Sequence, residues 1–209
     1  MGSRIYRLLD FLLIFIALPL VFYFELLQVP KIAALLGVTL IAVMLLWWDE
    51  SYELKHLFYK YSQADFLKSL LWKSGLVALS LIGLVFIVEP QSLFAFPKEQ
   101  PLVWVLVLLL YPFLSALPQE LLYREFFFNR YEKLFKKEWI LVLMSALSFC
   151  FLHIVYDNIW AIILSLVGGF IFGRSYQKTR SLFWVSLEHA IYGILVFTIG
   201  MGNYFYEGF

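Results

Sequence analysis

An uncharged apolar stretch near the middle of the chain, residues 101–118, has the sequence PLVWVLVLLLYPFLSALP. A helix needs about 20 mostly apolar residues to cross the hydrocarbon core of a bilayer, so this stretch is close to a full span. Comparable runs occur on both sides of it. The predicted spans are residues 11–29, 32–48, 66–88, 101–118, 139–156, 159–173 and 181–200. The sequence therefore predicts an all-α fold, a polytopic transmembrane helical bundle with about seven spans.

The composition of the whole chain supports this class of fold. Residues of the AVILMFWYC group make up 63% of the 209 residues, and charged residues make up 15%. A soluble domain has about half of its residues apolar and about a quarter charged, so the excess must face lipid. The net charge of +1 gives no electrostatic support for binding nucleic acid. We expect a single integral membrane domain over residues 1–209, surrounded by membrane lipids, with no nucleic-acid partner.

The positively charged residues between the spans predict the orientation, because cytoplasmic loops are enriched in Lys and Arg. With a cytoplasmic N-terminus, only Lys31 and Lys98 fall outside. The inside set is Arg4, Arg7, Lys55, Lys60, Arg130, Lys133, Lys136, Lys137, Arg174, Lys178 and Arg180. We therefore expect a multi-pass protein of the cell membrane whose N-terminus is cytoplasmic and whose C-terminus lies outside.

The segment after the fourth span has a different pattern. Residues 119–137 alternate charged side chains with Phe and Leu at helical spacing. Such a pattern is typical of an amphipathic helix that lies along the membrane interface. Glu120 and Arg124 are four residues apart, on one face of that helix, and can form an ion pair. Taken alone, this pair is consistent with a purely structural role.

Ionisable groups at membrane depth are costly and therefore tend to mark function. His153 lies in the fifth predicted span, where a hydrogen bond to Asp157 would give it a structural role. Glu188 and His189 are adjacent in the middle of the last span, where neither can reach the membrane surface easily. These positions, together with the Gln119-Glu120 pair, are the candidate functional residues.

The candidate residues have the chemistry of a hydrolase. Glu120, His153 and His189 are groups that activate water by general base catalysis or stabilise an oxyanion, and their three segments can converge in a bundle. The His-Glu-x-x-His zinc motif is absent, and the spacing supplies no paired ligands on one helix. We expect no cofactor, with a divalent metal on Glu120, His153 and His189 as the open alternative.

These motifs resemble those of the CPBP intramembrane proteases, a family that includes the CAAX prenyl protease type 2 (Ras-converting) enzymes and the bacterial Abi proteins. The family pattern is Glu-Glu-x-x-x-Arg, then Phe-x-x-x-His, then His-x-x-x-Asn, each on a membrane helix. The corresponding positions here are residues 119–124, 149–153 and 189–193. The resemblance covers about residues 101–205, the core of the family.

The resemblance implies roles that this chain fills only in part. In the family, the first Glu and the first His activate water, and the second His and the Asn stabilise the oxyanion. Gln119 stands at the first Glu, and Gly193 stands at the Asn. If the mechanism is retained, Glu120 or Glu188 must supply the base, with Arg124 orienting Glu120. Alternatively, Gln119 positions water and the chain is a non-proteolytic relative.

The resemblance implies an intramembrane endopeptidase acting on a peptide or a membrane protein. In this hypothesis Glu120 is the base, His153 holds the water and His189 faces the oxyanion. One alternative is a catalytically inactive membrane scaffold or an immunity or regulatory protein. Another is a small transporter that uses the same groups as a proton relay, although no repeated halves are visible in the sequence.

Overall fold

The computed structural model describes residues 4–49, 52, 62–135 and 137–205. Every regular element in these ranges is helical, which confirms the predicted all-α polytopic bundle. Six helices are long and apolar enough to cross a membrane, namely α1 (Arg4–Tyr23), α3 (Gln63–Val88), α4 (Pro101–Tyr131), α5 (Glu138–Tyr156), α6 (Ile159–Thr179) and α7 (Leu182–Ile199). The apolar helix α2 (Lys31–Trp47) has 17 residues and is shorter than these six.

Polar side chains begin several of the helices. The side-chain oxygen of Asn158 accepts a hydrogen bond from the backbone N–H of Ala161 at 2.8 Å, which caps the start of α6. Ser62 caps α3 and Ser181 caps α7 in the same way. A cap satisfies one of the backbone N–H groups that the first turn of a helix leaves unpaired. These residues therefore fix where the spans start.

Helix α4 changes character along its length. Its first half is largely exposed to the surroundings of the bundle, and its second half is largely buried. Pro112 and Pro118 lie inside the helix, where proline cannot donate a backbone hydrogen bond. The helix widens into π-helical turns at Pro112–Ala116 and at Leu121–Phe126. Such turns rearrange local hydrogen bonding and are frequent at functional sites.

The segment predicted as an amphipathic interfacial helix, residues 119–137, is helical as far as Tyr131. The segment continues α4 without a break to Tyr131, and its side chains from Leu122 to Phe128 are buried. Its charges have partners inside the bundle, since the hydroxyl of Tyr176 donates to Glu125 at 2.7 Å. The sequence did not predict these buried partners, because charges at helical spacing give the same pattern whether they face lipid headgroups or the inside of a bundle.

Contacts between helices that are far apart in the chain hold the bundle together. Helix α7 packs against α3, α4 and α6, so the last span lies inside the bundle. Asp10 of α1 pairs with Arg130 at the end of α4, with 2.9 Å between Asp10 Oδ2 and Arg130 Nε.

The predicted orientation of the termini and the predicted domain bounds stay predictions. Three residues of the inside set used for the orientation, Lys55, Lys60 and Lys136, lie outside the described residues.

Close contact between α5 and α6 depends on glycine. A Cβ atom at Gly169 would lie 3.1 Å from a ring carbon of Phe149 and 3.2 Å from the backbone of Ala146. Small residues let membrane helices approach closely, and van der Waals packing then holds them together. Because Phe149 belongs to the second sequence motif, this contact also fixes the helix that carries His153.

We expect Gly169→Val to lower the free energy of unfolding by about 1–3 kcal/mol, the usual cost of overpacking a tight contact. Gly83→Val is the matched control, because a Cβ atom at Gly83 would meet nothing within 4 Å. Both substitutions change the intrinsic helix propensity equally. Thermal unfolding of the purified proteins in detergent measures the difference. Equal melting temperatures for the two variants would contradict the packing argument.

Candidate active site

A cavity of about 810 Å³ opens between α3, α4, α5, α6 and α7. Its size is in the range of sites that bind small ligands or short peptide segments. Most of its wall is apolar, and three of the predicted site residues, Gln119, His153 and His189, are part of it. The structure thus brings together side chains from each of the three sequence motifs, which lie far apart in the chain.

The third motif supplies His189, and its imidazole is hydrogen-bonded to Glu120 of the first motif. Its Nδ1 lies 2.8 Å from Oε1 of Glu120, and both side chains are nearly or fully buried. A carboxylate can only accept, so we assign the hydrogen of this bond to Nδ1. The other ring nitrogen, Nε2, has no hydrogen-bond partner among the described residues. His189 therefore offers a free nitrogen lone pair on its cavity side.

Arg124 pairs with Glu120, which in turn contacts His189. Of these three residues, only His189 lines the cavity. The Arg124 Nε lies 3.2 Å from Oε2 of Glu120, and neither side chain is exposed. The Arg124 guanidinium also donates to Ser145 Oγ at 2.8 Å and to the carbonyl oxygen of Tyr123 at 3.1 Å. The ion pair predicted from the four-residue spacing is present, and it is buried instead of exposed at an interface. A buried ion pair of this kind is geometrically fixed.

Two phenylalanines pack against the His189 imidazole and the Arg124 guanidinium. Phe172 stacks on His189 with 4.5 Å between ring centroids, and Phe149 meets the same imidazole edge to face at 5.6 Å. The guanidinium carbon of Arg124 lies 5.0 Å from the Phe149 ring centroid, a cation–π distance. The aromatic packing therefore limits rotation of both the imidazole and the guanidinium.

His153 ends the regular part of α5 and is held by its own helix. Its Nδ1 lies 2.8 Å from the carbonyl oxygen of Phe149, which can only accept, so Nδ1 carries a hydrogen. Its Nε2 has no hydrogen-bond partner among the described residues. The hydrogen bond to Asp157 that the sequence offered as a structural alternative is replaced by this backbone contact.

Gln119 and Glu120 are adjacent but face different surroundings. Gln119 lines the cavity, and its amide nitrogen donates to Ser115 Oγ at 2.7 Å. Glu120 is fully buried and is not part of the cavity wall. Successive residues of a helix point about 100° apart, which places one side chain on the cavity side and the next in the core.

Glu188 lies apart from the other candidates. Its Oε1 accepts from Lys73 Nζ at 3.3 Å and from the Tyr192 hydroxyl at 3.0 Å, and it is not part of the cavity wall. The structure therefore does not place this carboxylate beside the two imidazoles. Its neighbour His189 turns the opposite way for the same helical reason that separates Gln119 from Glu120.

The sequence did not single out several polar residues of the cavity wall, among them Tyr111 and Ser115. Tyr111 and Ser115 both lie on α4 and line the wall. Ser115 precedes Gln119 by one helical turn, and that spacing was an available signal. Tyr111 sits in an apolar span among many aromatic residues, so nothing in the sequence distinguished it from a packing residue.

The divalent metal that the sequence left open as an alternative would bind residues that the structure describes. Within these ranges, no group of three His, Cys, Asp or Glu side chains is placed to hold a metal ion. Glu120 is already paired through both carboxylate oxygens, one to His189 and one to Arg124. The expectation that no cofactor is needed stays a prediction.

Comparison with known families gave a match to part of the chain. Residues 101–195 match the family described as Type II CAAX prenyl endopeptidase Rce1-like. Comparison with curated proteins and comparison with solved structures both gave no match. The matched range contains all six residues proposed from the sequence, which are Gln119, Glu120, Arg124, His153, Glu188 and His189.

Proposed function

We propose, from the premise that residues 101–195 of this membrane protein belong to the Rce1-like family of CAAX-type intramembrane proteases, that the chain is an active endopeptidase. Its substrate is a peptide or a protein whose cleavage site enters the cavity from the membrane. The observation that carries the proposal is His189, whose Nδ1 is held by Glu120 while the imidazole lines the cavity.

The arrangement supports general base catalysis through an imidazole. His189 Nε2 accepts a proton from a water molecule, and the water oxygen attacks the carbonyl carbon of the peptide bond. Glu120 stabilises the imidazolium that forms, as a carboxylate does when it fixes the tautomer and orientation of a catalytic His. The same proton then passes to the leaving amine as the C–N bond breaks. The products are a carboxylic acid and an amine.

This proposal gives Glu120 a different role from the one expected from the sequence. A fully buried carboxylate that is paired to His189 and Arg124 is not placed to take a proton from water itself. Glu120 acts through His189 and is a positioning residue. The Gln119 amide has no useful basicity, but its second N–H is free to bind a substrate carbonyl on the cavity side.

The proposed activity is tested with the purified protein in proteoliposomes. The substrates are a library of fluorogenic peptides that carry one apolar membrane segment, with a second set ending in an S-farnesylated Cys-a-a-X sequence. We expect hydrolysis above that of protein-free liposomes. Glu188→Gln is the control variant and keeps the activity, because Glu188 lies outside the cavity wall. A wild-type protein that cleaves neither set would refute the proposal.

We expect His153→Ala to lower kcat/KM about 10- to 100-fold, a loss of about 1.4–2.7 kcal/mol of transition-state stabilisation. The His153 Nε2 accepts a hydrogen bond from the attacking water, and Ala removes that acceptor. His153→Gln keeps a polar group at this position and should retain more activity than Ala. Steady-state kinetics on the best library peptide measures both variants. An unchanged kcat/KM for His153→Ala would remove His153 from the site.

A further inference from the structure

Gly193 and Tyr111 fit together across two helices. A Cβ atom at Gly193 would clash with the hydroxyl oxygen, Cε1 and Cζ of Tyr111. The phenol of α4 therefore occupies the space into which a side chain at position 193 of α7 would extend. Because Gly193 follows His189 by four residues, the phenol packs on the helix face that carries the imidazole.

The Tyr111 hydroxyl is also available for a ligand. Tyr111 is part of the cavity wall, together with Gln119, His153 and His189. Among the residues that the structure describes, no hydrogen bond engages its hydroxyl group. Tyr111 is half-buried and faces the cavity, so its hydroxyl can donate a hydrogen bond to a ligand that enters there.

Ring packing fixes the direction of this phenol. Phe197 meets the Tyr111 ring edge to face with 5.5 Å between centroids, and His189 does the same at 6.1 Å. A donor that is held in place before the reaction stabilises developing charge without the cost of reorganising. Tyr111 is a neutral donor, which suits a site surrounded by apolar side chains.

We infer that the Tyr111 hydroxyl donates a hydrogen bond to the substrate carbonyl oxygen as that oxygen becomes negatively charged. The inference rests on the proposed endopeptidase activity and adds a catalytic residue to it. When water attacks the carbonyl carbon, the π electrons of the C=O bond move to oxygen, and the phenol O–H stabilises the resulting oxyanion. The hydrogen bond weakens again when the carbonyl reforms and the amine leaves. No proton is lost from Tyr111 in either step.

The test compares Tyr111→Phe with Tyr131→Phe in the proteoliposome assay. Phe keeps the ring of Tyr111 and removes only the hydroxyl, so we expect kcat to fall about 10²-fold with KM changed less than about threefold, as for removal of one oxyanion donor. Tyr131 lies on the same helix and its hydroxyl also has no hydrogen-bond partner among the described residues, but it is not part of the cavity wall, so its variant keeps the wild-type kcat. Thermal unfolding shows whether each variant is folded.

A second pair of variants separates a donor from a packing residue. Tyr111→Ala removes the phenol and opens the space in front of Gly193. Adding Gly193→Asn to Tyr111→Ala supplies an amide N–H at the same place, and we expect it to recover at least about tenfold of the lost kcat. Gly193→Asn alone clashes with the Tyr111 ring and does not raise activity.

The outcomes distinguish the two proposals. A Tyr111→Phe variant with wild-type kcat overturns the role of the phenol and leaves the endopeptidase proposal intact. Recovery of thermal stability without recovery of kcat in the Tyr111→Ala, Gly193→Asn double variant overturns it as well, because Tyr111 is then a packing residue. A wild-type protein that cleaves no library peptide overturns the endopeptidase activity, and the inference falls with it.

Discussion

The His189→Gln variant is expected to lose about 10²- to 10⁴-fold in kcat, the range by which a positioned general base accelerates a reaction. Gln keeps a side-chain N–H that can donate to Glu120 Oε1, as His189 Nδ1 does at 2.8 Å in the wild-type protein. The variant therefore keeps the contact behind the cavity but has no nitrogen lone pair to accept a proton from water. The loss should appear in kcat, with KM changed little.

Kinetics in proteoliposomes measure this effect on the best library peptide, with thermal unfolding as the check on folding. Glu188→Gln is the matched control, because it changes the neighbouring residue of the same helix and leaves the cavity wall intact. A His189→Gln variant whose kcat stays within about threefold of the wild type would remove His189 as the base, whatever the activity of the control.

The Arg124→Met variant is expected to lower the free energy of unfolding by about 3–5 kcal/mol, the cost of leaving a buried charge without its partner. Arg124 and Glu120 are both fully buried and lie 3.2 Å apart, so removing the guanidinium strands the carboxylate. Glu120→Gln alone strands the guanidinium and should cost a similar amount. The double variant removes both charges and should recover part of the loss, since neither charge remains unpaired.

Thermal unfolding and titration with a denaturing detergent measure these variants. Arg180→Met is the control, because the Arg180–Glu132 pair is partly exposed and such pairs contribute about 1 kcal/mol or less. If the double variant were as unstable as the sum of the two single variants, Glu120 and Arg124 would not act as a pair. The variants are assayed for stability only, because a loss of activity would combine the effect of lower stability with the effect of a displaced His189.

The sequence was sufficient for the fold because the signal for a membrane span is local. A run of apolar residues must be a helix in lipid, where every backbone group has to find its partner within the segment. The second half of α4 was harder to predict. Its charged residues resembled those of an interfacial helix, and only the full burial of Glu120, Arg124 and Glu125 in the structure shows that they face the core.

The sequence predicted which residues form the candidate site better than it predicted where their side chains point. Motif spacing selected Gln119, His153 and His189, and the structure places all three on one cavity. The sequence did not show that Glu120 and Glu188 face away from it, because adjacent residues of a helix differ by a rotation that a motif does not record. Tyr111 was not predicted, since its role depends on a glycine that lies far away in the chain.

The two halves of α4 have a consequence for biosynthesis. Residues 101–111 present apolar side chains to the surroundings of the bundle, whereas the rest of the helix carries Glu120, Arg124 and Glu125 into the interior of the bundle. A translocon releases a charged side chain near the centre of a lone helix at a cost of about 2.5–3.5 kcal/mol for Arg. We therefore expect residues 117–131 to reach their buried position only when neighbouring helices are present to receive them. Integration of this helix and assembly of the bundle are one coupled event.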